Sequence, residues 1–284
     1  MIPLKEFYSN FQINYFDYRV NYLQNALENI SSIDVSNIIR SSTDSLKFAI
    51  KSDIRQNYFL ALETLFTLIF SLCPDKTGKI DDKNILERII KSKIPSKEVE
   101  EIASDEKGLD FLEKKIKNKI QIKSLGEYIF YYNVTDDELS ERIPSSLDAI
   151  KYGLRVLARD FSDRREYNSY KHGFRIFPYM SNLSMSVSDI EAKENKEIWD
   201  LKDSLTFYSE EKGEISFITK VFDTQRDIHM TSLCSLFIWN IIKLRDSSFN
   251  TNEKVEILYF DKEVIIKSHQ SNISIQDFTI SIKK

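Results

Sequence analysis

Between Leu4 and Ile30 the apolar and aromatic residues Phe7, Phe11, Tyr15, Tyr18, Tyr22 and Ala26 recur at steps of three and four, the pattern of one face of an amphipathic helix. Such a stripe is expected to be core. Ser41 to Asp44 supply cap-type residues before a second helical pattern, which becomes nearly continuous from Tyr58 to Cys73 and stops at Pro74. A run of that length falls short of the ~20 residues that span hydrocarbon, and Glu63 interrupts it, so it predicts a buried central helix rather than a membrane segment. Shorter charged helices are expected over 80–94, 97–103 and 108–120, punctuated by Pro95 and Gly108. The aromatic run Tyr128 to Tyr132 is too short for its period to decide between helix and strand. Residues 146–159 read as helix, with 160–172 either prolonging it or forming a second helix capped at Ser162.

After Gly173 the texture changes. Residues 205–209 and 214–222 read as a hairpin joined through Glu210-Glu211-Lys212-Gly213, and Asp227 can cap a helix running through Met230, Phe237 and Leu244. Residues 255–260 and 263–267, separated by Asp261-Lys262, predict a second hairpin, and 273–282 a final strand. The fold class is therefore α+β: a helical domain over 1–185, then a small antiparallel sheet with one helix over 186–284.

Composition refines this picture. In 284 residues, 42% are hydrophobic and 30% charged, the balance of a chain with a real core rather than a disordered tail or a membrane bundle. The formal net charge of −4 means that attraction to nucleic acid would have to come from a local patch. Two cysteines, Cys73 and Cys234, lie far apart in apolar stretches and give no disulfide framework, and the start lacks the features of a secretory signal. A cytoplasmic protein is expected. No Cys/His zinc spacing and no glycine-rich phosphate loop occurs, so neither a metal nor a cofactor is expected. The lysines between Lys114 and Lys123 interleave with isoleucines and read as a solvated helix face.

One segment contrasts with the rest. From 151 to 175 the cations Lys151, Arg155, Arg159, Arg164, Arg165, Lys171 and Arg175 stand against Asp160, Asp163 and Glu166, a local net charge of +4. Arginine forks match phosphate oxygens, and neutralising phosphates releases counterions. The plainer reading is that these arginines pair with the carboxylates of the helical domain. Within the patch, Arg165 and His172 lie seven residues apart, so on a helix they differ by only ~20° and share a face with Asn168 between them. Guanidinium, amide and imidazole could then contact one phosphodiester. A neutral histidine can take the proton of a ribose 2′-hydroxyl, or histidinium can give one to the departing 5′-oxygen, while the arginine stabilises charge on the phosphoryl oxygens. If Gly173 ends the helix, the macrodipole favours protonated His172 and the acid role. The plainer use of His172 is an interaction with the last carbonyls of its helix.

An arginine and a histidine separated by four to six residues on a helix of an all-α domain is the signature of the HEPN superfamily, and Arg165 and His172, with six residues between them, resemble it. Members commonly place a polar residue directly after the arginine; here that neighbour is Glu166, with Asn168 two positions further on. The resemblance implies a helical domain that dimerises, joins two motifs and cuts RNA without metal, often in toxin or antiviral systems. On that basis Arg165, His172 and Asn168 are the expected catalytic group, Arg155, Arg159, Arg164, Lys171 and Arg175 the expected RNA-binding residues, and RNA and a second copy the expected partners. The competing expectation is a non-catalytic interaction module, a scaffold or antitoxin-like partner, whose carboxyl-terminal sheet docks another protein.

Overall fold

The computed structural model describes residues 3–39, 42–75, 78, 80, 82–91, 96–117, 122–162, 164–171, 176–178, 183–186, 196–199, 204–211, 214–250, 255–270 and 277–283. In chain order the helices are α1 (Leu4–Asn10), α2 (Tyr15–Glu28), α3 (Thr43–Ser71), α4 (Asp82–Lys91), α5 (Ser96–Ser104), α6 (Leu125–Phe130), α7 (Asp137–Ser140), α8 (Ile143–Ser162), α9 (Arg164–Lys171), α10 (Thr224–Ser247) and α11 (Lys262–His269). The strands are β1 (Lys115–Lys117), β2 (Ile122–Ser124), β3 (Ile176–Pro178), β4 (Leu183–Ser186), β5 (Lys196–Trp199), β6 (Ser204–Glu211), β7 (Glu214–Val221) and β8 (Asp277–Lys283). The class is α+β. Where a single cut near residue 185 was expected, the chain forms two compact units, each assembled from three runs: 1–22, 57–163 and 226–270 in the first, 23–56, 164–225 and 271–284 in the second.

The first unit is built around the carboxyl-terminal half of α3. Tyr58, Phe59, Ala61, Leu62, Leu65 and Phe66 are all fully buried, as the continuous apolar run required. Phe161 of α8 stacks on Phe66 with centroids 6.0 Å apart. Pro74 follows the end of α3, and Arg88 of α4 donates to the carbonyls of Ser71 and Cys73, satisfying acceptors that the helix end leaves open. Gly153 of α8 meets the ring of Phe237 of α10, where an added Cβ would lie 3.0 Å from the ring.

Three expectations give way in this unit. The tyrosine stripe is not core: Tyr15, Tyr18 and Tyr22 are 51%, 69% and 74% exposed, and α2 buries Phe16, Val20 and Leu23 instead. Asn10 ends α1 and Tyr15 begins α2, so the phase of the pattern resets between them; of two stripes available on α2, the one without hydroxyls goes inward. Residues 108–120 do not form one helix. Glu106–Glu113 is a 3-10 helix, and Lys115–Lys117 pairs antiparallel with Ile122–Ser124, because Lys-Ile-Lys has the period of a strand. Finally, the expected second hairpin over 255–267 is absent. Asp261 is an N-cap, accepting from the backbone of Glu263 at 2.7 Å and Val264 at 3.4 Å to start α11.

Residues 255–260 lie outside any helix or strand, yet their backbone is partnered. Asn240 of α10, fully buried, donates to the carbonyl of Leu258 at 2.7 Å and accepts from its N–H at 3.1 Å. Ser146 of α8 accepts from the N–H of Phe260 at 2.6 Å, and the Tyr131 hydroxyl lies 2.6 Å from the same serine and donates to Leu258 at 3.2 Å. Side chains thus supply bonds that a neighbouring strand would otherwise provide.

The second unit holds an antiparallel sheet in the order β3-β6-β7-β8, together with the two-stranded pair β4-β5. The expected hairpin of β6 and β7 is present, with Thr206 opposite Thr219 and their buried hydroxyls 2.9 Å apart. At its start β6 is covered on both faces, since Ser204, Leu205, Thr206 and Phe207 are all buried.

Replacing Asn240 with leucine strands the N–H of Leu258 and leaves its carbonyl only the 3.2 Å bond from Tyr131, at a cost of about 2 kcal/mol. Chemical denaturation should show that loss, and hydrogen exchange at the Leu258 amide should accelerate ahead of the α10 backbone. Unchanged protection at Leu258 would contradict this account of the segment.

Candidate functional site

The α9 helix sorts its residues by side. Glu166, Tyr167, Ser169 and Tyr170 are buried, whereas Arg165 and Asn168 are exposed. Those two are three residues apart, ~60° around the axis, so they share one outward face. The Ser169 hydroxyl donates back to the Arg165 carbonyl at 2.8 Å, a bond within the turn that carries both residues.

The inward side is fixed by charge. Glu166, 1% exposed, accepts from Arg55 through both carboxylate oxygens, Nε to Oε1 at 2.9 Å and Nη2 to Oε2 at 3.2 Å, and Lys220 Nζ lies 3.1 Å from Oε2. Arg55 comes from α3, Glu166 from α9 and Lys220 from β7, so one carboxylate joins three elements of the second unit. Burial alone would raise the carboxyl's pKa; the two cations outweigh it and hold Glu166 below the ordinary glutamate value. Glu166, the residue directly after Arg165, therefore points into the core rather than onto the outward face.

The other expected residues fall in several places. Arg155, half-buried, and Arg159, exposed, lie on α8 in the first unit, where Arg159 Nε donates to the Ala103 carbonyl at 3.4 Å. Arg164 opens α9 and Lys171 closes it, but their side chains, like His172 and Arg175 altogether, lie outside the described residues. The structure thus brings Arg165 and Asn168 onto one face.

Sequence reasoning missed a second polar cluster, in the first unit. Asp160 Oδ2 accepts from the Tyr58 hydroxyl at 2.6 Å and from Arg226 Nη2 at 2.7 Å. Arg226 Nε continues to the carbonyl of His269 at 3.0 Å, and the His269 ring nitrogen Nε2 lies 2.6 Å from the Tyr152 hydroxyl. Burial first, then the charge of Asp160, pushes the Tyr58 phenol well above its ordinary range, so it remains a donor. The cluster ties α3, α8, α10 and α11 together. No short-range signal in the sequence announces it, because its members are separated by 43 residues or more across each bond. Among the described residues no group of three His, Cys, Asp or Glu side chains could hold a metal ion, and no helix is long and apolar enough to cross a membrane.

Glu166→Gln leaves two cations facing a neutral amide and should cost roughly 3 kcal/mol, read from urea midpoints. Because the folded carboxyl is more acidic than the unfolded one, its contribution is complete above the unfolded value of roughly 4.3 and declines as pH falls through the lower folded value. The variant's stability should therefore fall less steeply than the wild type's on the acid side. A variant with a parallel acid limb would refute the assigned pairing.

No family model matches this chain, and neither the curated proteins nor the solved structures contain a match to it.

Proposed function

We propose that the chain binds RNA on the outward face of α9 and cleaves it through Arg165 and His172, with Asn168 orienting the phosphodiester, in a homodimer. What supports this reading is the division of α9: Glu166 is bound inward by Arg55 and Lys220, while Arg165 and Asn168 are exposed side by side. In the proposed reaction the 2′-oxygen attacks phosphorus and the bond to the 5′-oxygen breaks, leaving a 2′,3′-cyclic phosphate. One imidazole takes the 2′-hydroxyl proton and another, protonated, supplies the proton to the departing oxygen; a dimer provides two rings. Arg165 stabilises the charge gathering on the equatorial oxygens. Such a chain fits a defence or toxin role in the cytoplasm.

The test is cleavage of end-labelled RNA in the presence of EDTA. Cyclic phosphate ends are expected, falling roughly 100-fold or more in His172→Ala and in Arg165→Gln, and roughly tenfold in Asn168→Ala, with unchanged melting temperatures. Cleavage that persists in His172→Ala, or no cleavage of several structured and single-stranded RNAs, would end the reading.

A second reading, a non-catalytic association module, is favoured by α2. Its exposed face carries Tyr15, Tyr18 and Tyr22 beside Asn14, Asn21 and Asn25, a surface of rings and amides of the kind enriched at protein interfaces. Hydroxyl and amide groups both donate and accept, so this face can pair with a copy of itself. Under this reading the wild type sediments as a dimer at micromolar concentration and Tyr18→Glu as a monomer of equal thermal stability. A dimer indifferent to Tyr18→Glu would count against it.

A further inference from the structure

The first unit contains a cavity of ≈ 550 Å³, within the range of small-molecule sites. Phe70 of α3 and Phe111 of the 3-10 helix both line it, stacked with centroids 5.9 Å apart at 26°. Besides Asp75, four charged residues contribute to its lining. Glu98 and Glu101 sit three apart on α5, whose other side buries Val99 and Ile102; Lys114 follows the 3-10 helix and Lys115 opens β1. All four are exposed, and among the described residues they form no ion pair with one another.

The close approach of these elements is built in. A Cβ on Gly108 would lie 2.4 Å from the Glu101 carbonyl oxygen, so only glycine lets the 3-10 helix reach α5 this closely. The thiol of Cys73, also in the lining, is pushed by burial up to about 12 and serves as a neutral apolar surface rather than a nucleophile. With Asp75 the cavity holds three carboxylates against two lysines, a balance unfavourable to a polyanion such as RNA.

We infer that this cavity binds a small aromatic zwitterion, its planar ring against Phe70 and Phe111, its carboxylate at Lys114 and Lys115, and its ammonium at Glu98 and Glu101. The inference is independent of the chemistry proposed for α9. It is tested on the full chain by calorimetric titration with three probes sharing one ring: L-tryptophan, tryptamine, which lacks the carboxylate, and indole-3-propionate, which lacks the ammonium. Tryptophan should bind at least about tenfold more tightly than either, the effect of one charge-assisted hydrogen bond. In the Lys114→Gln/Lys115→Gln double variant its advantage over tryptamine should vanish while that over indole-3-propionate persists. In Glu98→Gln/Glu101→Gln the reverse should hold. Because each variant keeps one of the two preferences, misfolding cannot imitate the result. Equal binding of the three probes, no binding at millimolar concentration, or a tryptophan preference that survives both double variants would overturn the inference.

Discussion

The need to partner buried polar groups organises both units. An unpaired carbonyl or amide in a packed interior costs as much as several methylene groups gain by burial. Asn240 and Ser146 are therefore as much a part of the first unit's frame as its phenylalanines: without them residues 255–260 could not lie against α10 and α8. Arg245 follows the same rule. It is 3% exposed, donates to the carbonyls of Tyr128, Ile129 and Ile241 at 2.7, 2.8 and 3.0 Å, and lies over the rings of Tyr128 and Tyr132. Its guanidinium closes the carboxyl-terminal end of α6, where carbonyls have no helical donors and the macrodipole favours a cation.

The same constraint shapes the candidate interface. A carboxylate next to a phosphate-binding arginine would repel the substrate if it shared the arginine's face. Here Glu166 is drawn inward because Arg55 and Lys220 meet it there, and an unpaired charge at that depth would be untenable. Asp160, another acid of the basic segment, is likewise engaged by Tyr58 and Arg226. Two of the three acids counted against that segment thus have cationic partners from distant parts of the chain.

Elements with an unambiguous period were legible in the sequence. The continuous apolar run of α3, the helix through Phe237 and the β6-β7 hairpin are where the pattern placed them. Segments that admit two periods were not. Residues 263–267 carry the β-branched run Val264-Ile265-Ile266 of a strand, yet Asp261 caps them into α11, and the tyrosines of α2 match a core stripe yet lose the interior to Phe16, Val20 and Leu23. For the site, the shared face of Arg165 and Asn168 followed from helical geometry alone. The inward turn of Glu166 did not, since Arg55 lies 111 residues away and no local rule connects the two.

The interleaving of the two units has a consequence for how the chain acquires its structure. The crossings at residues 22–23 and 56–57 fall inside α2 and α3 rather than in linkers, and each unit draws on segments more than 200 residues apart. Emerging from a ribosome, the chain cannot finish one half before starting the other: the first awaits α11 and the second awaits β8. Loop-closure entropy for such distant pairings slows maturation and leaves apolar surface open meanwhile. Nascent molecules would then be the natural clients of holding chaperones, and a gene cut anywhere between residues 56 and 226 would deliver neither half intact.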